Sequence, residues 1–243
     1  MELKDKAVLV TGGGSGVGAA VALALGREGC RVAIAGRTEQ KLRAVAQQFE
    51  GQPPLVFRAC DVADRAQVKA LLAWLDATLG ALDILVNSAG AIVANRTMSK
   101  LDPADWDRIL AVNATGAFNC IHAALPAMRA RRSGLIVNIS SIAGKRALML
   151  SGPAYCASKF AMTALGTTVG LEERENGIHV TNIYPGEIDS PMLDFRPTPV
   201  TPERRAQMLQ PEDVAAAVLM VAKLPPRALV PELVITPLYQ GYA

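Results

Sequence analysis

A tyrosine and a lysine stand four residues apart in Tyr155-Cys156-Ala157-Ser158-Lys159. On a helix this spacing puts the phenol and the ammonium on one face, close enough to interact. A free phenol titrates at about pH 10 and is a poor acid or base near neutrality. An ammonium beside it stabilises the phenolate and draws that pKa toward the range of a general acid–base. The same spacing also describes an interfacial tyrosine beside a solvated lysine, so the rest of the chain has to decide between the two.

The next residues with chemical potential are Thr11-Gly12-Gly13-Gly14-Ser15-Gly16-Val17-Gly18, which follow an apolar run at 7–10 and open a helical segment at 16–28. Glycines let a chain turn tightly and let its backbone approach a pyrophosphate, which then rests on the amides of the helix N-terminus. Thr11, Gly12, Gly14, Ser15, Gly16, Val17 and Gly18 are therefore candidate cofactor contacts, with a purely structural turn as the alternative. The second strand-like run ends at Gly36-Arg37-Thr38. An acid at that point holds the ribose hydroxyls of NAD, whereas an arginine accommodates the 2′-phosphate of NADP. Arg37 can stack on adenine and pair with phosphate. Glu39 falls in the first turn of the following helix, where an acid suits the helix dipole. NADP(H) is favoured over NAD(H).

Positioning these residues requires an alternation of short apolar runs and helical segments. Runs at 7–10, 31–35, 55–60, 82–86, 134–139, 178–183 and 233–235 read as strands. Segments at 16–28, 39–49, 64–79, 103–132, 155–176 and 211–223 read as helices. Strands apolar on both sides and separated by helices predict an α/β fold, a single-domain doubly wound Rossmann-like sheet over 1–243 with about seven parallel strands and helices on both faces. Residues 185–211 break the rhythm with several prolines and three arginines, and a segment of that kind is expected to be a substrate lid.

Composition narrows the function classes. The 243 residues are 51% hydrophobic, yet no apolar run approaches the ~18 uninterrupted residues of a membrane-spanning helix. The start of the chain lacks the features of a signal peptide. Cys30, Cys60, Cys120 and Cys156 are scattered, which suits reduced thiols in a cytoplasmic protein and no disulfide frame. A net charge of +3 with interspersed signs gives no nucleic-acid surface. His122 and His179 are isolated, so no metal site is expected.

Thr-Gly-x-x-x-Gly-x-Gly followed by Tyr-x-x-x-Lys resembles the short-chain dehydrogenase/reductase family, and the remaining motifs follow the family order along almost the whole chain. The resemblance implies that Asp61 and Val62 contact adenine. It implies that Asn87, Ala89 and Gly90, with Ser88 in place of the family's second asparagine, lie along the cofactor. The strand 134–139 ends in two serines, of which the resemblance makes Ser141 catalytic and Ser140 a support. Fourteen residues separate Ser141 from Tyr155, one more than the family usually shows. Asn113 matches the fourth catalytic position, supporting a water that links Lys159 to solvent. Pro185, Gly186, Ile188 and Ser190 match a further cofactor-binding segment.

The implied activity is hydride transfer between a nicotinamide and a carbonyl or secondary alcohol, with Tyr155 as acid–base, Ser141 holding the oxygen and Lys159 binding the ribose. A catalytically silent NADP-binding sensor or assembly protein on the same fold is the alternative. The C-terminal segments 224–227 and 230–237 are similar to the NADP-dependent 3-hydroxy acid (serine-type) dehydrogenase branch, which brings in 3-oxo or 3-hydroxy acids and their thioesters. Lys145, Arg146, Arg196, Arg204 and Arg205 are candidates to hold an acidic substrate, with a solvated basic surface as the alternative. A homodimer or homotetramer is expected, with no nucleic-acid or membrane partner.

Overall fold

The computed structural model describes residues 2–241. Seven strands form one sheet: β1 (Ala7–Thr11), β2 (Arg31–Gly36), β3 (Val56–Ala59), β4 (Ile84–Asn87), β5 (Gly134–Ile139), β6 (Ile178–Pro185) and β7 (Glu232–Ile235). Their order is β3-β2-β1-β4-β5-β6-β7, and every neighbouring pair is parallel. This is the doubly wound sheet expected from the sequence. All residues of β1 and β4 are buried, because helices cover both faces. On one face lie α1 (Gly16–Arg27), α2 (Glu39–Gln47) and α8 (Pro211–Ala222); on the other lie α3 (Arg65–Leu79), α4 (Pro103–Leu110), α5 (Gly116–Arg131) and α6 (Pro153–Glu172). The chain changes direction across the sheet between β1 and β4, which opens a crevice beyond the carboxyl ends of these strands.

Local chemistry sets the helix starts. Asp64 accepts from the backbone N–H groups of Ala66 and Gln67 to cap α3, and Asp102 does the same for Ala104 ahead of Pro103 in α4. Gln210 and Asp213 form a reciprocal capping box at α8.

The helical segment expected at 103–132 is broken. α4 and α5 are joined by one wide π turn, Ala111–Thr115. At its centre the Asn113 side chain is drawn to the loop after β4: it accepts from Ala91 N at 2.6 Å and donates to Ala91 O at 3.0 Å. Taken together, Pro103–Arg131 is long and apolar enough to cross a membrane, but 56% of its most apolar window is buried inside the fold. It is a core helix. The segment expected at 155–176 begins earlier, at Pro153, and α6 ends at Glu172. There the Glu173 carboxylate, 1% exposed, accepts from Arg129 and from Asn176 Nδ2, and the chain turns away.

The proline-rich stretch is folded: it contains a 3₁₀ turn at Pro191–Phe195 and a short helix α7 (Pro202–Arg205), and Ile188 bridges in parallel to Leu209. The four cysteines are buried and unpaired, and burial pushes the Cys30 and Cys60 thiols up to about 11.

Three asparagines cross the sheet in register. Asn87 on β4 is opposite Asn138 on β5, which is opposite Asn182 on β6. Asn87 Nδ2 donates to Asn138 Oδ1 at 2.9 Å, and Asn138 Nδ2 donates to Asn182 Oδ1 at 3.0 Å. Asn182 Nδ2 then donates to the Thr163 carbonyl and Thr167 Oγ1 of α6, at 3.4 and 3.3 Å. α6 passes so close that a Cβ at Gly166 would lie 2.1 Å from Asn182 Oδ1 and 2.5 Å from Asn138 Nδ2. Gly166→Ala must therefore push the helix off the sheet or break two buried hydrogen bonds. It is expected to destabilise the fold by about 2–4 kcal/mol in urea unfolding; a loss below about 0.5 kcal/mol, the ordinary surface value, would contradict this packing.

Candidate active site

The glycine-rich turn divides its glycines between two tasks. Gly12 has a φ of +69°, and a Cβ there would lie 2.8 Å from the Ala89 backbone; a Cβ at Gly18 would lie 2.3 Å from Gly12 O. These two close the turn on itself. Gly14 and Gly16 instead open onto neighbouring cavities of about 180 and 360 Å³. Ser15, at the start of α1, makes no side-chain cap, so its hydroxyl stays available.

Thr11 lies beneath this turn and not on a cavity wall. Its hydroxyl accepts from Ser88 N and Ala89 N at 3.1 and 3.2 Å, tying the end of β1 to the loop after β4. Asn87 is also buried below the cavity floor; its Oδ1 has no hydrogen-bond partner.

The smaller cavity is lined by Gly14, Ser15, Arg37, Lys41, Asp61, Val62, Ala89 and Gly90. Arg37 is exposed. Glu39, the competing acid, points along α2 to Arg43 at 2.8 Å. Asp61 Oδ1 accepts from Ala63 N at 3.0 Å, which shapes the loop after β3.

The larger cavity runs from Gly12, Ser15, Gly16, Val17 and Gly18 to Ser141, Tyr155 and Lys159, and past Pro185, Gly186, Ile188 and Ser190. Ser141 follows the end of β5, accepts from Ala143 N at 3.1 Å and shares a hydrogen bond with the Tyr155 phenol. Ser140 faces the other way, onto the Lys159 carbonyl and Thr163 Oγ1. Lys159 is 4% exposed; its Nζ donates to Ile139 O at 2.8 Å and lies 5.8 Å from the centre of the Tyr155 ring.

Burial pushes the Lys159 ammonium down to about 8. Burial likewise pushes the Tyr155 phenol up to about 12, against the Ser141 hydrogen bond and the Arg96 charge, which lower it. The lysine was expected to depress the tyrosine. In this geometry the ammonium is turned to a backbone carbonyl and desolvation wins.

Asn113 is fully buried and off the cavity wall. Beyond its two bonds to Ala91 it donates to Ser158 Oγ at 2.9 Å, and Ser158 Oγ donates to Tyr155 O at 2.8 Å. It thus braces the first turn of α6 through Ser158.

The loop cations are committed internally. Lys145 pairs with Glu232, Arg196 and Arg204 both pair with Glu187 at 2.8 and 3.1 Å, and Arg205 Nε lies 3.1 Å from Asp189, off the hydrogen-bond axis. Tyr239 donates to the same Glu187 at 2.6 Å. Burial alone would raise the Glu187 pKa, but Tyr239, Arg196 and Arg204 hold it below the usual carboxylate range. His122 stacks on Phe118, and His179 Nε2 meets Pro226 O at 2.9 Å. Among the described residues no cluster of His, Cys, Asp and Glu could hold a metal.

Sequence reasoning missed Lys41 and Glu187 as parts of the site. Lys41 had a signal, since it stands one helical turn after Arg37. Glu187 had none, because its partners are remote in sequence.

The short chain dehydrogenase family model matches residues 6–199. An uncharacterised oxidoreductase of Staphylococcus aureus (strain USA300) is 36% identical over 239 residues, covering 97% of this chain and 98% of the relative. The closed form of a serine dehydrogenase complexed with NADP+ superposes with a TM-score of 0.89 at 30% identity, covering 97% of this chain and 96% of that one. Serine dehydrogenase from Escherichia coli gives 0.84 at 29% identity, with 97% and 99% covered. With a Rossmann-like sheet and the family's motifs gathered at its switch point, the chain belongs to the short-chain dehydrogenase/reductase family of oxidoreductases.

Proposed function

We propose that the protein transfers hydride between NADP(H) and a carbonyl or secondary alcohol, with Ser141, Tyr155 and Lys159 as the catalytic groups. The observation that carries this reading is the single cavity running from the glycine turn to those three side chains. A dinucleotide fits the residues present. Gly14 and Gly16 add no side chains to the cradle, and the α1 N-terminus borders the cavity, where its amides would receive a phosphate. Arg37 and Lys41 line the smaller cavity and would hold a 2′-phosphate there, and the rival acid Glu39 is held by Arg43. The serine dehydrogenase neighbour, itself an NADP+ complex, supports the same choice.

The bound nicotinamide supplies or accepts the hydride. Tyr155 Oη donates a proton to the carbonyl oxygen in reduction and takes it from the alcohol in oxidation. Ser141 Oγ hydrogen-bonds that oxygen and fixes its position relative to Tyr155. Lys159 keeps a positive charge behind the phenol, so that the phenolate left after proton donation is stabilised. Asn113 acts through Ser158 on the turn that carries Tyr155, and a relay through Asn113 would use its backbone in the π turn. Residues 185–211 form the lid, hinged on the Glu187 hub. The silent alternative is disfavoured because Ser141, Tyr155 and Lys159 all line the cofactor cavity. The serine dehydrogenase neighbours favour a 3-hydroxy or 3-oxo acid within the substrate class. Phe118, Phe160 and Leu171, exposed on α5 and α6, support an oligomer formed through these helices.

Removing the phenol in Tyr155→Phe is expected to lower kcat by about 10²–10⁴-fold with dinucleotide affinity unchanged. If no carbonyl gives turnover that the substitution abolishes, the proposal is wrong. Replacing Arg37 by Asp should lower the ratio of kcat/KM with NADPH to that with NADH by roughly 10- to 100-fold; an unchanged ratio removes Arg37 from the 2′-phosphate.

The pH dependence follows from Lys159, whose pKa is pushed down to about 8 from 10.5. Below that value the ammonium is charged and supports proton donation; above it the charge is lost. For reduction, kcat/KM should be level below pH ~8 and fall above it. In Lys159→Met the remaining activity should lose that descending limb, and a limb that persists unshifted assigns the titration to another group.

A further inference from the structure

Beside the Tyr155 phenol a second, smaller cavity of about 150 Å³ lies between the 142–151 loop and the lid. Ser141 and Tyr155 form its floor, and Arg96, Arg196, Leu148 and Met192 belong to its walls. At this size, below the ~300 Å³ usual for drug-sized ligands, it admits a compact substrate end.

Arg96 is the unusual member. It is 6% exposed, and among the described residues it takes part in no ion pair. Its guanidinium carries five N–H donors. Nη1 donates to Leu150 O at 3.1 Å and Nη2 donates to Phe195 O, so the side chain clips the 142–151 loop to the 3₁₀ turn of the lid. Nε is buried and has no hydrogen-bond partner. A buried charged donor without a partner is strongly unfavourable unless a ligand supplies one.

Its surroundings supply none. The other charged residues on the cavity wall are Arg196, of the same sign, and Glu187, whose carboxylate is already taken by Arg196, Arg204 and Tyr239. Burial, then the Arg196 charge, pull the Arg96 pKa down, whereas Tyr155 raises it. The guanidinium is thus close enough to be felt by the phenol. Arg96, Ser141 and Tyr155 line the same cavity, so an anion held by Arg96 would share that cavity with the reacting groups. A guanidinium edge matches a carboxylate in shape and charge.

We propose that Arg96 is the specificity-determining residue of this site: it receives a carboxylate, and the substrates are small hydroxy or oxo acids in preference to their esters or thioesters. This rests on the oxidoreductase reading above and deepens it. The acid also bonds the side chain that joins loop to lid, so substrate binding and lid position are coupled through one residue.

The test uses binding, so that it does not depend on turnover. Calorimetric titration of the protein saturated with NADP+ compares 2-hydroxybutanoate and 3-hydroxybutanoate with the methyl ester of each. At least one acid should bind ten times more tightly than its ester, and Arg96→Met should reduce that advantage by roughly 10- to 100-fold. A purely structural clip would weaken acid and ester alike and leave their ratio unchanged. Should Arg96→Met fold poorly, Arg96→Lys, which keeps the charge and loses the fork, carries the same readout: a threefold or larger loss of the acid advantage supports the proposal. Equal affinity of acids and esters in the wild type, or an advantage that survives both substitutions, overturns it. Nicotinamide reduction is followed separately. Bound acids that are never oxidised, together with inert neutral alcohols, would fail the oxidoreductase reading; oxidation of neutral alcohols with no acid preference would fail only the assignment of Arg96.

Discussion

The row of amides from Asn87 through Asn138 to Asn182 fixes the geometry on which the site depends. Parallel strands that are apolar on both sides carry little information about register, since a slipped pairing still buries Val, Ile and Leu. A buried asparagine is different: out of register it leaves donors and acceptors without partners, at about 1–3 kcal/mol for each unsatisfied group. Asn87 and Asn138 sit at the carboxyl ends of β4 and β5, just ahead of Gly90 and Ser141, and Asn182 lies three residues before Pro185, the last residue of β6. The row ends on α6 through Thr163 and Thr167, one and two turns beyond Lys159. One chain of hydrogen bonds therefore relates the strand bearing Ser141 to the helix bearing Tyr155 and Lys159. Glycine at position 166 is required because that helix must lie directly on the row.

The same close packing sets the electrostatics. Placing α6 against the sheet buries Lys159, and burial penalises its charged form, which is why its pKa lies near 8. Between about pH 8 and 10.5 the folded protein then binds fewer protons than the unfolded chain, so this lysine's contribution to stability improves as pH rises through that window and is unfavourable below it. A buried ammonium is a liability for the fold and an asset for proton transfer. Tyr155 is shifted in the opposite direction by the same cause, to about 12, so the resting phenol is firmly protonated and suited to giving up its proton only when charge develops on a nearby oxygen.

What was legible in the sequence is what is local. The glycine turn, the strands and the Tyr-Lys pair each declare themselves within a few residues, because a tight turn, a pleat and a helix face are short-range constraints. Gly134–Ile139 was read to the residue, since a glycine opens and two serines follow a run that is apolar except at Asn138. A kink at Asn113 could be expected from its residue type, but its cause was not legible: the side chain reaches to Ala91, a contact the helical pattern does not encode. Nor were the roles of Thr11 and Asn113 as braces: both have the residue type of a contact and are turned instead toward backbone groups of the loop after β4.

The loop cations show most sharply why charge in a sequence differs from charge in a site. Five basic residues in the pocket-forming segments suggested a surface for acids, yet Glu187 alone takes two of them, and Glu232 and Asp189 each meet another. The pairings Lys145–Glu232 and Tyr184–Glu232 span most of the C-terminal half, and no window of sequence joins them. Their effect is to convert the basic stretch into a frame that holds the 185–211 segment onto the body through Glu187 and Tyr239. What the frame does not pair is the buried Arg96 guanidinium on a different loop, with Nη1 and Nη2 holding backbone carbonyls and Nε without a partner. The character of the pocket is thus decided by subtraction: once the paired charges cancel, the cations left beside Tyr155 are Lys159 behind the ring and Arg96 on the pocket wall, and a charge count of the surrounding loops could not have singled out Arg96.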